Sequence, residues 1–440
     1  MAFKTVSFAI IAALLAGQGA ALPATPFSEN INPLIEARGT CKGLPSKEVK
    51  LTDADFSSDS GILKRWTEDE FSKFVKRGRK PLNWCAEEKD YHVPLETEPY
   101  PEPKLICDPK SKTYHNPQCK TFGFTDKKSF TDYEFKEQPL PSPTNTGDYD
   151  TEHLLEGQML NTFTKKISDA SKKTLEDPKT KDKVSVCGYL TRWFNELPAS
   201  EELKTVNGKK LASAGNDGNQ GLIWLASIYP QKTDQDMTEF GLLDKQVNIA
   251  KGGLWTGGNG IDMGDMEKNT KWLTDDKTPK FKPANEIKKN FETALFKFKV
   301  ILGNRVYHRD TWVRDTLKLQ SNRMADMLDG LETEMAKKQI KETDKNKKTI
   351  TWDKYKKQGL KAKWNSHMKD TTDNLVSTIN KNFEKSYEYL EKAMKAFEDE
   401  AGKTKDKTLK DTLNQLVCSI KEAEKAYNAE KAHTLTSITF

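Results

Sequence analysis

The run Thr151-Glu152-His153-Leu154-Leu155-Glu156-Gly157-Gln158 sets one imidazole between two carboxylates. Read as a helix, the spacing of four puts Glu152 and Glu156 on one face, with His153 three residues before Glu156. A histidine beside carboxylates makes a general acid/base pair or half of a metal site, because imidazole titrates near neutrality and ligates metals through nitrogen. A complete metal site needs more ligands, and no second histidine-bearing helix motif supplies them, so no metal and no cofactor are expected. The plainer reading is structural: Glu152 favours a helix N-terminus through the dipole, and His153 packs or caps. Glu152, His153 and Glu156 are therefore the nearest approach to a catalytic set, and a complete set is not evident.

Other chemistry-bearing residues stand more alone. Tyr307-His308-Arg309-Asp310 echoes a kinase catalytic loop, but the downstream Asn, the Asp-Phe-Gly and the Gly-rich loop are missing in suitable context. Tyr91-His92 and Tyr114-His115 read as loop histidines. Trp193, Trp224, Trp255, Trp272 and Trp312 are core anchors or, if exposed in a row, stacking platforms for sugars; the area each can bury favours anchors. The Lys-rich stretches Lys341–Lys348 and Lys354–Lys363 read as solvated faces, because acids are interleaved or the context is helical. A P-loop, a Gly-x-Ser-x-Gly elbow and a His-Glu-x-x-His motif are all lacking.

The elements that must position these groups change along the chain. Met1 to Ala21 reads as a secretory signal: one positive charge at Lys4, an apolar run from Val6 to Leu15, then small residues to Ala21. That run is shorter than the roughly 20 residues a membrane span needs, and no later stretch is apolar enough to be one. Residues 22–38 read as a pro-segment ending at Arg38. Residues 39–147 form a Cys- and Pro-rich module with a linker at Gln138–Asp148 and a helix at Thr67–Lys76, where Thr67 to Glu70 resembles a capping box. Residues 148–440 read as a helical domain. Helical spacing joins Leu154, Leu155, Met159, Phe163 and Ile167, and Val186 to Leu197 is a second helix. Leu222–Tyr229 is a compact apolar run, and Phe240–Ile249 reads as helix stopping at Lys251-Gly252-Gly253. Three long patterns follow: one from Phe291 that restarts at Val313, one from Leu375 to Phe397 broken at Gly402, and one from Leu409 to Tyr427. The fold class is mainly α, a helical-bundle central and C-terminal body with a small disulfide-stabilised, loop-rich N-terminal module.

All six cysteines follow the signal, an even count that in an exported chain implies disulfides. Of the possible pairings, Cys41–Cys85, Cys107–Cys119 and Cys187–Cys418 are expected. No Asn-x-Ser/Thr sequon occurs, so no ordinary N-glycan is expected. The net charge of +6 is a small difference between 71 basic and 65 acidic residues, which does not predict nucleic-acid binding.

Asp150 to Gln158, Leu242 to Asn248 running through Lys251 to Gly258, and the helix around Arg305 to Leu331 resemble a domain of many filamentous-fungal secreted proteins. That domain also follows the catalytic barrel in killer-toxin-like chitinases. The Asp-x-x-Asp-x-Asp-x-Glu motif of those enzymes is absent, and the chain before Asp150 is too short for a barrel. The resemblance implies a fungal secreted protein carrying the accessory domain without the enzyme, and it assigns no catalytic residue. The expectation is therefore a secreted, effector-like or virulence-associated, toxin-like protein that binds a host protein or a cell-wall component. The alternatives are a secreted hydrolase of unrecognised type and a cell-wall polysaccharide-binding module.

Overall fold

The computed structural model describes residues 42–56, 82–85, 88, 90–91, 93–95, 100–152, 154–171, 174–195, 205–206, 209–210, 220–230, 237–271, 282–343 and 347–440. The signal at 1–21, the pro-segment at 22–38, Cys41, the Thr67–Lys76 helix, His92, His153 and Trp272 lie outside them. Ten α-helices dominate the described residues, in keeping with a mainly α fold. They are α1 (Pro103–Cys107), α2 (Gly157–Ser171), α3 (Val186–Asn195), α4 (Gln220–Ile228), α5 (Lys245–Trp255), α6 (Met263–Lys271), α7 (Ala284–Arg309), α8 (Thr311–Lys337), α9 (Leu360–Lys403) and α10 (Lys407–Lys431). The strands used below are β1 (Leu82–Trp84), β2 (Val93–Leu95), β3 (Lys120–Phe124), β4 (Phe135–Gln138), β5 (Tyr149–Glu152) and β6 (Gly241–Asp244). No helix of the described residues is long and apolar enough to cross a membrane.

The last four helices follow the apolar spacing closely. In α9, Leu375, Ile379, Phe383, Leu390 and Phe397 are buried, four or seven residues apart on one stripe. The helix begins earlier than its apolar pattern because of a remote cap. Gly359 takes a left-handed backbone with φ 68°, and the buried Glu332 carboxylate of α8 accepts from the Leu360 amide at 2.7 Å and from the Gln358 amide. It runs through Gly402 and ends at Lys403; Asp406 then starts α10 by accepting from the Leu409 amide at 3.1 Å. The two helices meet through Tyr387 stacked on Tyr427 at 4.1 Å and Phe383 at 4.8 Å from the same ring. Helices α7 and α8 break where Asp310 accepts from the Val313 amide at 3.2 Å. Helix α7 is buried nearly all round and even takes two lysines into the core. Lys297 meets Asp55 at 2.9 Å and also Asp265. Lys299 donates to the carbonyls of Asp126 at 2.8 Å, Ser129 at 2.9 Å and Asp132 at 2.8 Å, and lies over the Phe124 ring at 4.8 Å. Burial lowers its pKa to about 8, opposed by Asp132 and Asp126. The Lys341–Lys348 stretch carries one strand of a short antiparallel hairpin, Lys341–Thr343 against Thr349–Thr351.

A four-stranded sheet in the order β4-β3-β6-β5 is the second element of the core. Strands β3 and β6 run parallel, with Lys120 opposite Gly241; β6 and β5 run antiparallel, with Gly241 opposite Glu152. This sheet corrects two expectations. The division at residue 148 is not a domain boundary, because β3 and β4 from the expected module share a sheet with β5 and β6, and 42–440 form one compact unit. The Phe240–Ile249 segment is not continuous helix. Its first half is fully buried strand, and Asp244 then caps α5 by accepting from the amides of Gln246 at 2.9 Å and Val247 at 3.3 Å. Helix α5 also continues through Gly252-Gly253 to Trp255. The first described segment is likewise part of the body: the Leu44 amide donates to Ser419 Oγ at 3.0 Å, and Lys47 pairs with Glu292 at 2.6 Å.

The disulfides differ from those expected. Cys85 bonds Cys187, with Cα atoms 5.8 Å apart, so neither Cys41–Cys85 nor Cys187–Cys418 forms. The bridge ties the turn after β1 to α3, which are 102 residues apart in sequence. Trp84 beside it is fully buried and donates to Thr191 Oγ1 at 2.9 Å. Cys418 is itself disulfide-bonded. Cys107 and Cys119 are free buried thiols rather than the expected pair.

Candidate functional site

The two carboxylates singled out by spacing do converge, but not by sharing a helix face. Glu152 is the last residue of β5, Glu156 precedes the first turn of α2, and Leu154 and Leu155 between them form a bend rather than helix. Both reach one ammonium, that of Lys251 on α5: Glu152 in contact and Glu156 at 2.7 Å. Lys251 was not evident as a partner from spacing alone. Its signal was a charged residue on the face shared by Val247 and Leu254, which are both core residues.

This cluster is closed. Lys251 is 1% exposed and Glu152 2%. Tyr307 and His308 at the end of α7 are also buried, and the His308 ring lies 6.0 Å from Trp255. Burial holds the Lys251 amine well below the usual lysine range, opposed by the Asp150 carboxylate. Burial also depresses His308 to about 4 and raises the Tyr307 phenol. His308 Nδ1 lies 2.8 Å from the Asn304 carbonyl, which makes it the protonated nitrogen of the neutral ring. Two carboxylates clamped on one ammonium satisfy one another and tie β5, α2 and α5 together. A buried carboxylate so engaged does not meet substrate. The cluster is a structural joint, and the Tyr307-His308-Arg309-Asp310 run is likewise the end of α7 and the cap of α8.

The tryptophans divide sharply. Trp193, Trp224 and Trp255 are core residues, as the area argument anticipates. Trp312, the second residue of α8, is only half-buried and lines a surface cleft of about 610 Å³ together with Gln118, Lys120, Glu137 and Thr238. Its ring stacks on Phe122 at 6.1 Å, with 27° between planes. Behind the ring is Gly241: a Cβ there would stand 3.0 Å from Trp312 Cη2 and 3.2 Å from the Lys120 carbonyl. Glycine is therefore what lets the ring lie against the sheet. Lys120 Nζ is held by both oxygens of Glu137, at 2.8 and 2.7 Å.

No protein-family model, curated protein or solved structure matches this chain. What the site can do is therefore argued from its chemistry. Cys119 lines the cleft as a buried thiol, and burial pushes its pKa up to about 12, while that of Cys107 rises to about 11. Neither is poised as a nucleophile, because the thiolate is the reactive form. His115 Nδ1 meets the Ile106 carbonyl at 3.0 Å and fixes the loop that leads to the cleft. Among the described residues no group of three or more His, Cys, Asp or Glu side chains could hold a metal ion.

Proposed function

We propose that this chain is a secreted, effector-like protein of the filamentous-fungal type, which acts outside the cell by binding a host or wall component. The observation that carries the reading is the contrast between its two candidate sites. Glu152 and Glu156 are engaged in an ion cluster on the buried Lys251, whereas the Trp312 cleft offers an aromatic face and polar side chains at the surface. Such a cleft supports recognition rather than group transfer. Export is supported by the residue pattern of 1–21 and by an intramolecular disulfide between Cys85 and Cys187, which an oxidising compartment preserves. The test is expression of the full chain with its native N-terminus in a filamentous host. Accumulation of processed protein in the medium is expected, and retention of the full-length chain inside the cell overturns the reading. Hydrolysis of a wall polymer by the purified protein would overturn its non-enzymatic part.

A further inference from the structure

We infer that the Trp312 cleft binds a neutral polysaccharide, with Trp312 as the stacking platform; the inference rests on the extracellular binding role proposed above. Three observations select this ligand class. First, the ring is pre-set: Phe122 supports one face at 6.1 Å and Gly241 leaves room behind it, so no rotamer search opposes binding. An aromatic face held in place meets the apolar C–H face of a sugar ring. Second, the cleft carries no free charge. Its lysine and its glutamate, Lys120 and Glu137, neutralise one another through two hydrogen bonds, so neither an anionic nor a cationic ligand finds an unpaired counter-charge. Third, uncharged hydrogen-bonding groups remain. The exposed Gln118 amide and Thr238 hydroxyl make no side-chain hydrogen bond among the described residues and line the same cleft. Amide and hydroxyl groups beside an aromatic ring complement a ligand whose edges are hydroxyls and whose faces are C–H. The size, about 610 Å³, is that of a small-ligand site, and its position at the surface leaves a polymer free to continue beyond it.

The test is calorimetric and fluorescence titration of the folded chain with three soluble probes: a chitin hexasaccharide, a β-1,3-glucan hexasaccharide and an acidic oligogalacturonide. Saturable binding of at least one neutral hexasaccharide is expected, with little change from low to high salt, because no counterion is released. Trp312→Ala should weaken it by about tenfold or more, and Gln118→Ala by a smaller factor of about three, in the range of a buried anchor and a rim contact. Gln118 is exposed, so its variant keeps the proposal testable if Trp312→Ala folds poorly. No saturable binding of either neutral probe, or binding unchanged in both variants, overturns the inference. Tight binding of the acidic probe alone also overturns it while leaving the extracellular binding role standing. Failure of export overturns that role and leaves the measured sugar affinity intact.

Discussion

One rung of the sheet separates the two candidate sites. Gly241 of β6 is paired on one side with Lys120, whose ammonium borders the open cleft, and on the other with Glu152, whose carboxylate is locked on Lys251 in the core. Both regions contain a lysine bound to glutamate, yet they differ in what surrounds the pair. Lys120 and Glu137 are exposed, so water screens them and their pairing contributes little to stability. Lys251 and Glu152 have lost water and depend on one another, with Glu156 reaching the same ammonium from a part-buried position. The difference teaches that charged residues in suggestive spacing mark a site only where solvent and ligand can reach them. The surface pair shapes a recognition surface; the Lys251 cluster holds the fold.

Removing one partner tests that comparison most severely. Lys251→Met takes the ammonium away from the buried Glu152 carboxylate and from Glu156, and should cost about 3–5 kcal/mol in chemical denaturation. Adding Glu152→Gln and Glu156→Gln to it should recover part of that loss. The corresponding cleft variant, Lys120→Met, should shift stability by less than about 1 kcal/mol. Equal losses at the two lysines would erase the distinction.

Acid should attack the interior and spare the cleft. His308 and His367 are both depressed to about 4 by burial, with Lys251 and Arg314 near the first and Lys166 near the second adding to the effect. Between about 6.5 and about 4 the unfolded chain binds protons that the folded chain excludes, so stability is full above that window and falls as pH falls through it. Each histidine should account for about 3 kcal/mol at the acid end, and His308→Gln should flatten the pH profile of denaturation. A midpoint that does not move across this window would contradict the burial of both rings.

Smaller effects sharpen the picture at the cleft itself. Trp312→Ala removes a half-buried ring, and should lower stability by only about 1–2 kcal/mol, below the 3–5 kcal/mol typical of a core tryptophan. Trp193→Ala, at a fully buried ring, provides that larger reference value. Cys107 and Cys119 should resist a neutral-pH thiol reagent in the folded protein and react on unfolding, since burial raises both thiols to about 11 and about 12. Rapid labelling of the native chain would show that the cleft floor is open to solvent.

Legibility followed the range of the interactions. The stripes through Met159, Phe163 and Ile167, through Val313 to Met335, and through Leu409 to Tyr427 were readable as helices and are helices, because period 3.6 is a local property of the chain. The run from Asp150 to Gln158 and the run from Phe240 to Ile249 misled the same reasoning. The second holds the fully buried strand Gly241–Asp244, whose continuous apolar residues mimic a helix face; the first begins in the polar strand Tyr149–Glu152, which is strand because it pairs with β6 rather than through any local pattern. Glu152 and Glu156 were visible as a pair, but their partner Lys251 is 99 residues from Glu152 and its meaning depends on sheet pairing. The cleft was still less visible, since Gln118, Lys120, Glu137, Thr238 and Trp312 come from segments with no shared local pattern.

By itself the sequence determined the mainly helical body, the long C-terminal helices and the presence of cysteines able to bond, all consequences of local periodicity and composition. Tertiary structure alone decided that Cys85 bonds Cys187, that Glu152 and Glu156 close on Lys251, and that Trp312 rather than Trp193 faces a cleft. The physical reason is the parallel pairing of β3 with β6 beside antiparallel β5, which places Lys120, Glu152 and Gly241, from three separate stretches of the chain, on one rung. Long-range pairing of that kind sets burial, and burial separates a structural charge from a binding surface.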